Sequence, residues 1–399
     1  MIPPLLLRGA RLPDGLVCDL LLEGGLVRRV APAGSLPVGP DELDLSGYLL
    51  LPAPAEPHAH LDKALTWDRV GAPPCDLPSA VAAWRAYAEQ VDEADVAERA
   101  RRALDQLVAN GVTAVRTHAD LLPGDDPLRG LRALLRLRDE VRGRVTVQVA
   151  VLHSDAPEPL LREALALGVD LLGGCPHLTD DPGAAVERAV RLADEYGVGL
   201  DLHADENLDP ASQDLRLLAA AVHRHGFSGP VTAGHCVSLG VMEPEEAEKV
   251  AKEVAQAGIG VVALPLTNLY LQGRGHPSAT PRGLTAVRVL LDAGVRLAAG
   301  GDNVRDPFNP VGRGDPLETA ALLVAAGHLS PPEAVHAVTS GAREVLGLPE
   351  AGPYEGALAD LLAVRGASLS EALGAASPDR VVIRAGRVVS RTTVVRELY

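Results

Sequence analysis

The chain has 399 residues, 47% of them hydrophobic and only 3% aromatic, so a large core of Leu, Val and Ala is available and an aromatic-rich all-β fold is disfavoured. An excess of 53 acidic over 37 basic residues gives a net charge of −16, spread along the chain, which argues against nucleic acid and anionic membranes as partners. Four scattered cysteines, Cys18, Cys75, Cys175 and Cys236, form neither a zinc knuckle nor a disulfide framework; with no leader pattern and no long apolar span, a soluble, cytoplasmic protein is expected.

The opening residues read as short strands broken by turns: PLLLRGARL, LVCDLLLEGGLVRRVAP and LDLSGYLLLPAP. Residues near the end, ADLLAVRG and DRVVIRAGRVVSRTTVV, have the same character. The two ends are expected to pair as one small β-sandwich domain over residues 1–50 and 350–399.

Between them, over residues 51–349, apolar strand runs alternate with helical periodicity, the pattern of a parallel sheet with crossover helices. In chain order the expected strands are LLLPAPAEPHAH, VTAVRTHAD, VTVQVAVLHSD, VDLLGGCPH, VGLDLHADE, PVTAGHC, IGVVALP and VRLAAGGDN. Helices are expected at VAERARRALDQLVANG, LRGLRALLRLRDEVRG, AAVERAVRLADEYG and EEAEKVAKEVAQAG, each closing on glycine. Eight such units predict an α/β fold of the (β/α)8 TIM-barrel type, with chemistry at the C-terminal ends of the strands.

Polar residues gather at those ends. His58 and His60 close the first strand, His118 and Asp120 the second, His153 the third; His177 follows the fourth, His203 and Glu206 close the fifth, His235 the sixth and Asp302 the eighth. Alternate strand residues share a face, so His58 and His60 both point to the barrel axis. Joined by His203 and Asp302, they make three imidazoles and one carboxylate, a set that holds one divalent ion and leaves room for water. Glu206, three residues after His203, sits where a carboxyl can shuttle protons, and His235 where an imidazole can polarise the attacking water with Asp302. The rival readings are a loop glutamate and a structural histidine. His118, His153 and His177 are open between lining the pocket, a second metal and orienting neighbours. His223, His225, His276, His328 and His336 are expected on the surface.

EPHAHLDK, HADE, TAGHC and GGDNVRDPFNPVGRGDPLE, in this order, resemble the amidohydrolase superfamily and most closely its cytosine deaminase branch; LPLTNLYLQGR followed by PRGLTAVRVLLDAGV is similar to that branch too. The resemblance implies His58, His60, His203 and Asp302 as metal ligands, Glu206 as proton shuttle and His235 as partner of the attacking water. Superfamily members with two metals carry a lysine at the end of strand four; Lys63, Lys249 and Lys252 all lie elsewhere, so a single metal, Fe(II) or Zn(II), is expected.

The chain departs from the branch where substrate is read. His153-Ser154-Asp155 stands in place of a glutamine after strand three, Asn303 in place of a second aspartate and Phe308 in place of an aromatic tryptophan. Ser154, Asp155, Asn268, Gln272 and Asn303 are the candidate substrate contacts, and the role of Lys63 is open. The expected activity is hydrolytic deamination of an amino-substituted N-heterocycle, cytosine or a related pyrimidine first. Removal of an alkylamine from a triazine and hydrolysis of a cyclic amide are the alternatives within the class, and a non-catalytic binding barrel is the alternative outside it. The partners expected are the heterocycle and water, without nucleic acid or membrane, and homo-oligomerisation is left open.

Overall fold

The computed structural model describes residues 3–39, 41–71, 76–153 and 155–399. Eight parallel strands run side by side in sequence order: β1 (Ala55–Ala59), β2 (Ala114–Asp120), β3 (Thr146–Leu152), β4 (Leu171–Gly174), β5 (Gly199–Ala204), β6 (Val231–His235), β7 (Gly260–Ala263) and β8 (Leu297–Ala299). A parallel bridge between Ala59 and Asp302 joins the last strand region to the first and closes the barrel. The expected TIM-type barrel is what the chain forms. Its strands are buried on both faces, the barrel interior on one side and helices on the other, which is why they read as runs of Val, Leu and Ala.

The helices fall where the apolar periodicity put them, at Glu93–Ala109, Arg129–Val141, Pro182–Tyr196 and Pro244–Gln256. Asp92 caps the first by accepting from Asp95 N, and Gly197, at φ 65°, ends the third in the left-handed conformation.

One expected element is corrected. LLLPAPAEPHAH is two strands rather than one, because the run breaks at Ala53-Pro54: Tyr48–Pro52 joins the terminal sheet and only Ala55–Ala59 enters the barrel. Apolar content alone does not mark the crossing, since both halves are buried.

That terminal sheet takes Leu5–Arg11, Val17–Glu23, Leu26–Pro32, Glu42–Asp44 and Tyr48–Pro52 from the start of the chain and Leu361–Arg365, Arg380–Arg384 and Arg387–Thr392 from the end. The two contributions meet where Tyr48–Pro52 pairs antiparallel with Leu361–Arg365, making the small sandwich with its own core of Leu7, Leu20, Leu50, Leu361 and Ile383. Arg380 ties it to the barrel through two 2.8 Å bonds to Asp315. Cys18, Cys175 and Cys236 are buried; Cys75 lies outside the described residues. Among the described residues no helix is long and apolar enough to cross a membrane.

Candidate active site

The alternation that aims His58 and His60 inward also aims Glu56, which sits two residues earlier at the seam between β1 and β8. Its carboxylate accepts from Gly301 N at 2.8 Å and His58 N at 3.2 Å. Gly300 and Gly301 leave that carboxylate its space: a Cβ on Gly300 would stand 2.2 Å from Glu56 Oε1. Burial, only partly offset by these two donors, pushes the Glu56 carboxyl up to about 8. Glu56 is a residue that sequence reasoning missed, although the pairing of an inward glutamate with a Gly-Gly on the closing strand was there to be read.

Above this seam the expected ligands converge. His203 Nε2 lies 3.1 Å from His58 Nε2 and 3.2 Å from His60 Nε2, while Asp302 Oδ1 is 3.3 Å from His60 Nε2 and 3.8 Å from His58 Nε2. Donor atoms at these spacings suit a shared ion, because bonds of about 2.0–2.1 Å around a tetrahedral centre put neighbouring nitrogens about 3.3 Å apart. Burial first, then the neighbouring imidazoles or Lys63, keep all three rings well below the usual histidine range, hence neutral and able to donate lone pairs. Burial raises the Asp302 carboxyl, against the pull of His235. Gly234 makes room for the cluster, since a Cβ there would come within 2.8 Å of the His58 ring.

Two further groups flank the ligands. Glu206 is buried, and desolvation together with the nearby Asp302 raises its carboxyl well above the ordinary carboxylate range. His235 is held neutral by burial, and its Nδ1 donates to Asn268 Oδ1 at 3.0 Å with Glu206 Oε1 3.4 Å away. That hydrogen bond fixes the tautomer and leaves Nε2 as a lone-pair acceptor, and a ring nitrogen of His235 lies within 4.8 Å of ligand atoms on His58 and Asp302.

The strand ends carry local strain. Asp205, His235, Cys236 and Asp302 adopt left-handed φ of 53°, 69°, 50° and 62°, an arrangement that persists only where surrounding bonds enforce it. Asp205 supplies several: its carboxylate accepts from Ser212 Oγ, Asp214 N and Leu215 N, and its carbonyl from Val237 N and Ser238 N. Asp214 in turn accepts from Asp205 N and from both His177 N and His177 Nδ1, so one buried carboxylate links the loops after β4 and β5.

A cavity of about 600 Å³ opens over the cluster, with His60, His203, Glu206, His235 and Asp302 at its floor. Of the candidate substrate contacts, Asp155 and Asn303 line it, as does His153, whereas Ser154 lies outside the described residues. Asn268 and Gln272 do not line it. Asn268 is fully buried against the His235 side chain, and Gln272 Nε2 donates to the backbone carbonyl of Glu206 at 3.1 Å, so they brace His235 and the Glu206 backbone. Strand pattern does not distinguish a residue facing the cavity from one facing the back of its neighbour.

The remaining histidines separate in the same way. His118 lies beneath the ligands, its ring centroid 4.2 Å from that of His58 and its Nε2 3.6 Å from Asp201 Oδ1. His177 is taken up by Asp214. His223, His225, His276, His328 and His336 are exposed, as expected. Of Leu61, Asp62 and Lys63, only Lys63 reaches the cavity wall; Leu61 is buried, and Asp62 is held by Lys63 N and Asp120 N.

Comparison with known proteins bears on this geometry. The model of the amidohydrolase family matches residues 76–396. The chain is 35% identical over 392 residues to a pterin deaminase of Rhizobium rhizogenes, covering 95% of this chain and 89% of that protein. The structure superposes on 5-methylcytosine deaminase from Klebsiella pneumoniae with a TM-score of 0.88 at 28% identity, covering 99% of each chain. It superposes on N-isopropylammelide isopropylaminohydrolase from Burkholderia multivorans with a TM-score of 0.83 at 30% identity, covering 99% of this chain and 100% of the other. The likeness runs through both the barrel and the terminal sheet, and the chain belongs to the amidohydrolase family as a hydrolase of C–N bonds in cyclic amidines.

Proposed function

We propose that this protein is a metal-dependent deaminase of a planar heterocycle containing an aminopyrimidine ring, with a pterin-sized bicycle as the leading substrate and cytosine as the smaller one. The observation that carries the reading is the placement of a buried carboxyl, Glu206, and a buried imidazole, His235, beside one cluster of candidate ligands in the lining of one cavity. At about 600 Å³ the cavity lies mid-range among pockets for drug-sized ligands and exceeds what a single six-membered ring fills. The similarity to a pterin deaminase along nearly the whole chain supports the larger ring.

His58, His60, His203 and Asp302 would hold one divalent ion, Zn(II) or Fe(II). Such an ion supplies Lewis-acid activation of water and of the ring under attack. The protein's own groups then manage the protons. His235 Nε2 accepts a proton from the water as its oxygen adds to the ring carbon bearing the amine. Glu206 gives its proton to the adjacent ring nitrogen, so the tetrahedral adduct forms without a free charge. His235 then returns its proton to the amine and Glu206 takes up the hydroxyl proton as the C–N bond breaks and the C=O forms, so ammonia leaves and both side chains regain their starting states. A carboxyl with a raised pKa and an imidazole with a lowered one suit this exchange near neutral pH.

A second reading has its own support: Leu77, Val81, Leu122 and Leu160 give the cavity an apolar wall that would accept an N-alkyl group, and the isopropylaminohydrolase is a near structural neighbour. A product assay decides between them. The enzyme, loaded with zinc or iron, is offered pterins, cytosines and N-alkylated triazines, and ammonia, alkylamine and ring-opened acid are measured. Ammonia from pterin above all others is the expected result. Alkylamine as the main product would replace the proposal with the second reading, and no product from any of them would end it.

A further inference from the structure

Lys63 is the one lysine in the barrel interior; Lys249 and Lys252 are exposed on the helix Pro244–Gln256. Its Nζ is 2.9 Å from Asp120 Oδ2 and 3.3 Å from His60 Nδ1, and it stands 5.7 Å from the Trp84 ring centroid and 5.2 Å from that of Phe308. The side chain is only 4% exposed, yet it lines the cavity.

An ammonium has three N–H donors and no acceptor. Asp120 takes one. His60 cannot take a second while its Nε2 faces the ligand cluster, since an imidazole that donates its Nε2 lone pair to an ion carries its hydrogen on Nδ1. Trp84 Nε1 is itself a donor to Asp120, at 2.6 Å, so the indole and the ammonium compete for the same carboxylate. Lys63 is therefore a buried cation with N–H groups left over, beside two aromatic faces, at the wall of the substrate cavity.

We propose that Lys63 is a specificity-determining residue that donates to an oxo oxygen on the ring undergoing deamination, while Trp84 and Phe308 flank the ring plane. This rests on the deaminase reading of the same site. It narrows the substrate to aminated heterocycles carrying an oxo oxygen on the reacting ring, and it assigns the discrimination to one donor. A hydrogen bond from a charged, desolvated donor is the kind of contact that rejects an analogue lacking the acceptor.

The test uses matched pairs of heterocycles that differ only in carrying an oxo oxygen or a hydrogen at that ring position. For the metal-loaded enzyme, kcat/KM is measured by ammonia release for the aminated pairs, and Kd by calorimetry for the same pairs without the amine, which cannot turn over. Wild type is expected to favour the oxo member by about 100-fold. In Lys63→Met the preference should shrink about 10- to 100-fold in both readouts. The double variant K63M/D120N, which removes both charges of the buried pair, should lose the preference too, and it serves if the single variant does not fold. Equal constants for the two members in wild type would overturn the proposal without any variant, as would a preference that survives in K63M or the double variant. If wild type releases ammonia from neither member, the deaminase reading fails separately, and the Kd pairs still decide the role of Lys63.

Discussion

Nδ1 of His235 lies 3.0 Å from Oδ1 of Asn268, and this bond, from a residue expected to touch substrate, sets which nitrogen of the histidine is free to accept a proton. Asn268→Leu removes the acceptor and releases the ring to either tautomer. Turnover should fall about 10- to 100-fold, the usual cost of losing an orienting partner, with metal content intact. Elemental analysis alongside steady-state kinetics checks both halves; unchanged kcat would show that the tautomer is set elsewhere.

Glu206→Gln keeps the shape of the side chain and removes its proton. The variant should bind metal normally and lose about 10²- to 10⁴-fold in kcat, the range for a missing general acid. Near-normal ammonia release would remove Glu206 from the mechanism.

His203 Nε2 is within 3.2 Å of both strand-one ring nitrogens, which makes it central to the proposed ligand set. His203→Ala purified under the same conditions should contain well under one equivalent of metal. Chelation of the wild-type protein should lower its melting temperature, because an ion bound only by the folded state stabilises it. Stoichiometric metal in the variant would refute the assignment.

The Asp306 carboxyl is pushed up to about 7 by burial, against the opposing effects of Asn303 and Lys63. Between pH about 4 and 7 the unfolded chain has lost a proton that folded Asp306 retains, so the stability this group contributes is full below the window and is lost as pH rises through it. Asp306→Asn should flatten that dependence by about 1.4 kcal/mol per pH unit. Urea denaturation of both proteins across the window measures the difference, and parallel profiles would count against a raised Asp306.

Buried and exposed ion pairs should separate in size. Arg116 bonds Asp201 at 2.7 Å with both side chains 1% exposed or less, whereas Arg216 meets Glu246 and Glu253 at 2.5 and 2.9 Å on the surface of the helical ring. Arg116→Met strands a buried carboxylate and should cost about 3–5 kcal/mol. Arg216→Met should cost at most about 1 kcal/mol. Chemical denaturation of the two variants tests the contrast.

The barrel was legible because parallel strands covered on both faces must be continuous apolar runs, and because a crossover helix must repeat at 3.6 residues. VTAVRTHAD and VGLDLHADE carry that rule in full, and His118, His203 and Asp302 follow from where such runs stop. LLLPAPAEPHAH escaped it, since the chain passes from one buried sheet to another without becoming polar. Asn268 and Gln272 escaped for a different reason: an amide serves equally well as a substrate contact or as the support of a neighbouring catalytic group.

By itself the sequence determined the period of the elements and the identity of the donor atoms, because both are properties of local chemistry: strand alternation aims His58 and His60 together, and residue type decides what can ligate or carry a proton. Tertiary structure decided which of those groups share a charge environment. Closure of the sheet through Ala59 and Asp302 brings Asp302 Oδ1 to 3.3 and 3.8 Å from the Nε2 atoms of His60 and His58, buries Glu206 beside Asp302 so that its carboxyl is raised, and places Lys63 at the cavity wall. Electrostatic roles depend on distance and desolvation through space, and neither is written in the spacing along a chain.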